Sequence, residues 1–159
     1  MITQAIDADI PAIARMLHDL NALHAHHRPD RFHDRGTHEA LCAFLRDQTG
    51  QGARILIYVT EGVPRGYLMW KDGSADPTAL EHARRQAVLD HIHVEPVWRR
   101  RGLASRLIAR FEADIRAEGM TGWRSYVHTF NHASAALMRR HRAKVTVTLF
   151  ETGAAQTQS

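Results

Sequence analysis

Residues 99–102 are three arginines followed by a glycine, and they lie between two apolar patterns. The alternation of residues 87–94 predicts a strand that enters this segment, and helical spacing from Leu103 onward predicts a helix that leaves it. A turn before a helix presents unpaired backbone N–H groups and the positive end of the helix dipole. Arginines add full positive charges, which bind phosphate oxygens strongly. The segment therefore predicts a binding site for a phosphorylated ligand.

The chain of 159 residues has an ordinary globular composition, with 44% hydrophobic and 24% charged residues. We expect a single domain over residues 1–151 and a flexible tail over residues 152–159. No apolar run approaches the roughly 20 residues that span a bilayer, and the N-terminus lacks a secretory pattern. Cys42 is the only cysteine, which excludes an internal disulfide. We therefore expect a cytoplasmic protein without a membrane partner.

The formal net charge of +4 favours anionic partners. Proteins that bind nucleic acids spread positive charge along a groove and combine it with aromatic side chains. The arginines of residues 99–101 instead form one compact group. We therefore expect a small phosphorylated ligand and no nucleic-acid partner.

Hydrophobic periodicity predicts six strands and four helices. The predicted strands cover residues 2–6, 53–61, 66–71, 87–95, 123–129 and 144–151. The predicted helices cover residues 10–23, 37–50, 103–119 and 131–141. The resulting order, β-α-α-β-β-β-α-β-α-β, predicts an α/β (α+β) fold with a mixed sheet of six to seven strands and helices on both faces.

The arginine-rich turn is part of a longer motif, in which Val94 and Pro96 precede Arg99, Gly102 and Ala104. A second motif lies on the last predicted helix and consists of Asn131, Ser134 and Leu137. Together with the element order from residue 2 to about residue 151, these motifs resemble those of the GNAT superfamily of acyl-CoA-dependent N-acetyltransferases. The resemblance implies a GNAT fold, acetyl-CoA as cosubstrate and transfer of an acetyl group to a primary amine by direct attack.

The resemblance implies that this turn binds the pyrophosphate of coenzyme A, and that pantetheine lies along residues 92–94 like an additional strand. Gly102 has no Cβ, so the backbone can approach phosphate closely. The backbone N–H near Val94 would donate to the thioester carbonyl. Asn131 either caps its helix or also bonds the cofactor. The implied cofactor-binding residues are Ile92, His93, Val94, Arg99, Arg100, Arg101, Gly102, Leu103, Ala104, Ser105, Asn131 and Ser134.

Acetyl transfer needs a group that removes a proton from the amine. Asp90 lies where related acetyltransferases often carry a carboxylate base, and His91 and His93 follow on the same strand. The base is therefore Asp90, one of these histidines or water, unless these side chains have only structural roles. Strict alternation places Val88, Asp90, Ile92 and Val94 on one face of the strand and Leu89, His91, His93 and Glu95 on the other.

The general acid is less defined. The family usually has a tyrosine after the leucine of the last helix, and this chain has Met138 there. Methionine cannot donate a proton, so Tyr126, His128 or water protonates the departing thiolate, or the thiolate leaves without an acid. The missing tyrosine also favours a second hypothesis, a non-catalytic acyl-CoA-binding or sensing domain.

A cluster of histidines lies near the junction of the first two helices, which in the family lines the acceptor pocket. The implied substrate contacts are His24, His27 and Phe32, and the alternative is a solvated set of side chains. His24 and His27 lack a carboxylate partner at metal-ligand spacing, so we expect no metal. Because only residues 144–151 remain as a closing strand, we expect an open sheet edge and pairing between copies in a homodimer.

Overall fold

The computed structural model describes residues 1–153. Its helices are α1 (Ile10–His27), α2 (His38–Gly50), α3 (Leu103–Ala117) and α4 (His132–Arg140). Its strands are β1 (Ile2–Gln4), β2 (Arg54–Thr60), β3 (Val63–Asp72), β4 (Gln86–Val94) and β5 (Gly122–Arg124). None of the helices within residues 1–153 is long and apolar enough to cross a membrane.

The strands form one mixed sheet in chain order, β1-β2-β3-β4-β5. Neighbouring strands are antiparallel except for β5, which runs parallel to β4. A parallel pair needs a long crossover connection, and α3 provides it. The predicted mixed fold and the element order from β1 to α4 are confirmed, with five strands in the described residues instead of six to seven.

The predicted closing strand is wrong, because residues 144–151 pair with no other strand in the described part of the chain. β5 is also shorter than predicted and ends at Arg124, so it offers an edge of only three residues. The segment instead reaches the end of α1, where Glu151 pairs with Arg28 and Arg31. The alternating apolar residues therefore indicated an extended conformation, but no neighbouring strand is present to pair with it in the described part of the chain. Of the predicted tail, residues 154–159 lie outside the described residues.

Two apolar clusters hold the helices on opposite faces of the sheet. The first packs α1 and α2 on the sheet and consists of Ile10, Ile13, Ala14, Met16, Leu17, Cys42, Leu45, Ala53, Ile55, Ile57, Tyr67 and Met69. The second packs α3 and α4 on the sheet and consists of Leu56, Leu68, Trp70, Ala87, Leu89, Leu107, Ile108, Phe111, Ile115, Met120, Leu137 and Met138. Each face thereby buries alternate residues of the central strands, which explains their nearly continuous apolar sequence.

Local chemistry sets the ends of the helices. Pro11 lies in the first turn of α1, where its missing N–H costs no hydrogen bond. Thr37 accepts a hydrogen bond from the N–H of Ala40 at 3.1 Å and thereby caps α2. Gly119 follows α3 with a φ of 78°, a left-handed conformation that glycine adopts without strain.

A β-bulge interrupts β4 at Asp90. His91 is opposite Met69 and Leu89 is opposite Trp70, so Asp90 is an extra residue in the ladder. The predicted strict alternation is therefore wrong. Leu89 packs under α3 with Ile92 beside it, whereas His91 lies on the opposite face. An added residue reverses the inward and outward order of every residue beyond it.

Candidate active site

A cleft opens where β4 and β5 separate. The two strands pair only from Gln86 to Val88, opposite Gly122 to Arg124. The hydroxyl of Ser125 donates a last hydrogen bond to the carbonyl of Leu89 at 2.9 Å. Beyond this point no strand of the described chain pairs with the outer edge of residues 90–94. An unpaired edge of this kind can accept an extended ligand by strand-like hydrogen bonds.

The cleft has a volume of about 220 Å³. Its lining residues are Leu17, Leu20, Asn21, His24, Phe32, Leu89, Asp90, His91, Ile92, Ser125, Tyr126, Val127, His128, Asn131, Ser134 and Met138. Residues that the sequence analysis assigned to catalysis, cofactor and acceptor therefore meet in one place. His93, Val94 and His27 do not line this cleft.

The basic turn lies at the end of β4. After a short 3₁₀ turn over Pro96–Trp98, Arg100 and Gly102 both have left-handed backbones, with φ of 60° and 75°. Gly102 is the N-cap of α3 and supplies no side-chain acceptor to the first amides of the helix. Those amides, from about Leu103 to Ser105, suit an anionic ligand in charge and in hydrogen bonding. The donor set thus fits the pyrophosphate of coenzyme A.

Two of the three arginines support the turn itself. The Nε of Arg99 donates to the carbonyl of Val94 at 2.9 Å. The guanidinium of Arg101 lies 4.8 Å from the ring centroid of Trp98, and Arg65 lies 5.4 Å from the same centroid. Arg100 is exposed on the turn. The backbone and Arg100 are therefore the groups most directly presented to a phosphate.

Asn131 caps α4 and also lines the cleft. Its side-chain oxygen accepts a hydrogen bond from the N–H of Ser134 at 3.1 Å. Ser134 lines the cleft one turn farther along. Asn131 and Ser134 of the second motif thus line the cleft, where the sequence analysis expected the cofactor arm, whereas Leu137 is buried in the core.

Asp90 is held by a partner that the sequence analysis missed. The Nζ of Lys71 on β3 lies 3.1 Å from its carboxylate, whose side chain is 19% exposed. The register of β3 with β4 brings the two together, and the bulge determines that register. Single-sequence periodicity contains no signal for either feature, so this ion pair could not be predicted.

His91 lines the cleft beside a buried hydroxyl. The hydroxyl of Tyr67 lies 3.4 Å from the Nδ1 of His91. Burial raises the pKa of Tyr67, so the tyrosine keeps its proton. Burial also lowers the pKa of His91 to about 4, and Asp90 opposes this change only in part. His91 is therefore neutral at physiological pH.

His93 is buried away from the cleft. Its side chain is 6% exposed, and within the described chain its Nε2 has no hydrogen-bond partner. Burial lowers the pKa of His93 to about 4, with a smaller contribution from the positive charge of Arg99. The structure thus separates His93 from Asp90 and His91.

His24 reaches the cleft from α1 with a defined tautomer. Its Nδ1 donates to the carbonyl of Leu20 at 2.9 Å, because a carbonyl can only accept. In the neutral ring the Nε2 is therefore unprotonated and able to accept a proton. The sequence analysis assigned His24 to acceptor contact and missed this property, which depends on the helix carbonyl four residues earlier.

Further rings surround His24. The ring centroids of Phe32, His128 and Phe130 lie 5.2 Å, 5.5 Å and 5.4 Å from that of His24. The ring of His27 stacks on that of Phe130 with centroids 4.4 Å apart, so His27 supports the rings around His24 without lining the cleft. Burial lowers the pKa of His128, and the nearby His24 acts in the same direction.

Tyr126, a candidate for the acid, and Met138, which stands where the family usually has a tyrosine, lie at different depths. Tyr126 lines the cleft and is 81% exposed. Met138 lines the same cleft but is 7% exposed and packs under α4. The cleft therefore presents a phenol near its mouth and a thioether at its inner wall.

The open edge of β4 and the basic turn together form a site that suits an extended, phosphorylated ligand. The sequence profile of the acetyltransferase (GNAT) family matches residues 15–142. The chain therefore belongs to the GNAT acetyltransferase family and is an acyltransferase with acetyl-CoA as cosubstrate. Family membership favours this activity over the alternative of a non-catalytic sensor. No curated protein sequence matches the chain.

Solved structures share the fold at low sequence identity. The tetramutant of BH1408 from Bacillus halodurans superposes with a TM-score of 0.86 and 16% identity, covering 97% of this chain and 99% of that one. The aminoglycoside N-acetyltransferase AAC(6')-Iy in complex with CoA superposes with a TM-score of 0.76 and 17% identity, covering 98% of this chain and 94% of that one. A ribosomal-protein-alanine N-acetyltransferase from Brucella melitensis superposes with a TM-score of 0.70 and 17% identity, covering 97% of this chain and 98% of that one.

The two left-handed glycines at the ends of α3 test the basic turn. Alanine at Gly102 or at Gly119 meets open space but has an unfavourable φ, so each change lowers the free energy of unfolding by about 1 kcal/mol. We expect only Gly102→Ala to weaken acetyl-CoA binding, about tenfold or more, because its Cβ lies where phosphate approaches. Calorimetric titration measures the affinity. Equal affinity in the two variants would contradict the assigned turn.

The buried histidines predict a stability that depends on pH. His91 and His93 have folded pKa values near 4 and unfolded values near 6.5, so the unfolded chain binds more protons between these limits. Stability should therefore fall as pH falls from about 6.5 to 4, by on the order of 3 kcal/mol for each histidine. Denaturant unfolding of His93→Gln should show a smaller slope with pH. The exposed His82→Gln variant is the control, and an unchanged slope in His93→Gln contradicts the prediction.

Proposed function

We propose that this chain transfers the acetyl group of acetyl-CoA to a primary amine, by direct attack within a ternary complex in the cleft. The observation that carries the proposal is the separation of β4 and β5. It leaves the edge of residues 90–94 open beside Asp90, His91 and His24, and the same strand leads to the amides that begin α3. A donor held along that edge and an acceptor near His24 would meet at Asp90.

The cofactor is proposed to lie from the basic turn to the bulge. When bound, acetyl-CoA supplies the activated thioester. The amides of residues 102–105 and the Arg100 side chain hold its phosphates, and the edge of residues 92–94 orients its pantetheine arm. Because Val94 lies outside the cleft, we assign the N–H that donates to the carbonyl during attack to Ile92, which lines the cleft beside Asp90. Asn131 and Ser134 flank the pantetheine arm on the side of α4.

The amine must lose a proton, and we assign this step to the Nε2 of His24. Asp90 is already bonded to the ammonium of Lys71, and the Nδ1 of His91 is engaged with Tyr67. His24 instead has an Nδ1–H fixed by Leu20, which makes its Nε2 the accepting atom. In this assignment Asp90 orients the amine, and His91 contributes a neutral polar wall.

Tyr126 is the hydroxyl that we propose to protonate the departing thiolate. It lines the cleft and belongs to the segment that leaves β5. The AAC(6')-Iy neighbour has also been solved in complex with a bisubstrate analog, CoA-S-monomethyl-acetylneamine. A cleft that accepts both substrates together is consistent with direct transfer in this chain.

A homodimer is part of the proposal. Val145, Val147, Leu149 and Phe150 are 75–90% exposed and follow α4 in an extended segment. Exposed alternating apolar residues in an extended segment favour pairing with another copy. We further propose that residues 1–151 form one domain that acts in the cytoplasm.

Two substitutions separate the roles of His24 and Asp90. The amide N–H of His24→Asn can still donate to the Leu20 carbonyl, but no basic nitrogen remains. We expect kcat/KM to fall about 10²-fold and to lose the limb on which it rises with pH. Asp90→Asn should keep that limb and raise KM for the amine. Release of free thiol, followed from pH 5 to 9, measures both.

His26→Asn provides the control, because His26 lies on the same helix and is exposed outside the cleft lining. It should retain the rate and the pH profile of the unaltered chain. If His24→Asn keeps the rising limb and Asp90→Asn loses it, the base is Asp90 and the assignment is wrong.

A further inference from the structure

The buried hydroxyl of Tyr67 determines which nitrogen of His91 carries a proton. Tyr67 is 0% exposed, and the Nδ1 of His91, 3.4 Å away, is the one hydrogen-bond partner of its hydroxyl within residues 1–153. Burial raises the pKa of Tyr67, so the hydroxyl keeps its hydrogen. If the hydroxyl accepted a hydrogen bond from His91, its own hydrogen would be buried without an acceptor, which is unfavourable. The hydroxyl therefore donates, and Nδ1 is the unprotonated nitrogen of His91.

The proton of the His91 ring is consequently on Nε2. Burial lowers the pKa of His91 to about 4, although Asp90 opposes this change, so the ring is neutral at physiological pH and carries a single proton. The two ring nitrogens point in different directions, and Nδ1 points to the buried hydroxyl of Tyr67. His91 also lines the cleft. Its Nε2–H is therefore the hydrogen-bond donor that the ring offers to a ligand in the cleft.

His24 and His91 thereby present opposite groups to the same cleft. The Nδ1–H of His24 donates to the carbonyl of Leu20, so its Nε2 can accept a proton, whereas the Nε2 of His91 donates a hydrogen bond. Burial is the largest cause of the lowered pKa of His91, and a positive charge on His24 lowers it further. A proton that His24 takes from an amine therefore helps to keep His91 neutral. One ring suits a base, and the other suits an uncharged donor.

Attack on a thioester needs hydrogen-bond donors at the carbonyl oxygen, because this oxygen gains negative charge. His91 lies between Asp90 and Ile92 on β4, next to the backbone N–H that we assign to this oxygen. The Ser125 hydroxyl already donates to the carbonyl of Leu89, and the carboxylate of Asp90 can only accept. His91 is therefore a side chain next to Ile92 that retains a donor, and a neutral imidazole can stabilise a developing oxyanion.

We propose that the Nε2–H of His91 donates to the carbonyl oxygen of the acetyl group during transfer, and that Tyr67 is the positioning residue that fixes this tautomer. This inference rests on the proposed function. As the amine nitrogen bonds to the acetyl carbon, an electron pair of the carbonyl moves to the oxygen, where His91 and the N–H of Ile92 stabilise it. The pair returns when the C–S bond breaks, the amine proton passes to His24 and the thiolate takes a proton. His91 itself gives up no proton.

Nitrogen NMR of the isotope-labelled chain at neutral pH tests the tautomers in the absence of substrate. We expect the ring proton on Nε2 in His91 and on Nδ1 in His24, with the two rings assigned from the signals lost in His91→Gln and His24→Asn. Tyr67→Phe should move the resonance of the unprotonated Nδ1 of His91 downfield, because the hydrogen bond from the hydroxyl is lost. A proton on the Nδ1 of His91, or an unchanged resonance in Tyr67→Phe, overturns the inference.

The carbonyl stretch of bound acetyl-CoA tests the contact directly. Infrared spectroscopy with acetyl-CoA labelled at the carbonyl carbon measures how strongly the oxygen is hydrogen-bonded, since each donor lowers the frequency. We expect a higher frequency in His91→Leu than in the unaltered chain, and an intermediate one in His91→Gln, whose amide N–H can still donate. His82→Gln, at an exposed position outside the cleft lining, is the control and should leave the frequency unchanged. Equal frequencies in the unaltered chain and both His91 variants overturn the inference.

Turnover separates a donor from a base. Free-thiol release from acetyl-CoA is measured with ethylamine, kanamycin and a peptide with an N-terminal alanine, and the fastest of these amines is used for the variants. His91→Leu should lower kcat about 10²-fold, change KM for the amine little and keep the limb on which the rate rises with pH. Loss of that limb would mean that His91 is the base, which overturns the inference. If the unaltered chain acetylates none of these amines, the proposed function fails, whereas the tautomers and the infrared frequencies still decide the contact of His91.

Discussion

One extra residue in β4 determines the arrangement of the candidate site. The bulge at Asp90 follows the last residues of β4 that pair with β5, so the two strands separate where the side-chain order reverses. Leu89 therefore remains in the core under α3, and His91 turns toward the side of α1. Without this extra residue, every side chain of β4 beyond Asp90 would lie on the opposite face of the sheet. The open edge and the change in side-chain order thus begin at the same point of β4.

The parts of the fold that could be predicted are those governed by local rules. Helical spacing from Leu103 and the turn at Gly102 each depend on neighbouring residues, and both lie as expected. The bulge could not be predicted, because strict alternation has no term for an inserted residue. The strand predicted over residues 144–151 failed for a related reason. Alternation reports that a segment is suited to an extended conformation, whereas pairing depends on an edge that β5 is too short to provide.

The histidines show why residue type alone leaves the chemistry open. His93 is enclosed in protein and has a lowered pKa, whereas His91 is half-buried, has a similarly lowered pKa and also lies beside the hydroxyl of Tyr67. His24 is oriented by a helix carbonyl instead, which selects its tautomer. The three differ in partners that come from α1, β3 and the turn after β4. Leu20 and Arg99 are near in sequence to the histidines that they affect, whereas Tyr67 is 24 residues from His91. Which histidine is buried and which lines the cleft therefore requires the tertiary structure.

The two halves of the site depend on the sequence in different ways. The half that we propose for the cofactor consists mainly of backbone groups, since Arg99 and Arg101 support the turn and the first amides of α3 receive no side-chain cap. Backbone geometry survives extensive substitution, which agrees with a TM-score of 0.86 at 16% identity. The acceptor half is built from the side chains of α1 and of the segments around Phe32 and His128. Its specificity therefore follows from the rings and charges of this chain, and a shared fold cannot transfer it from a relative.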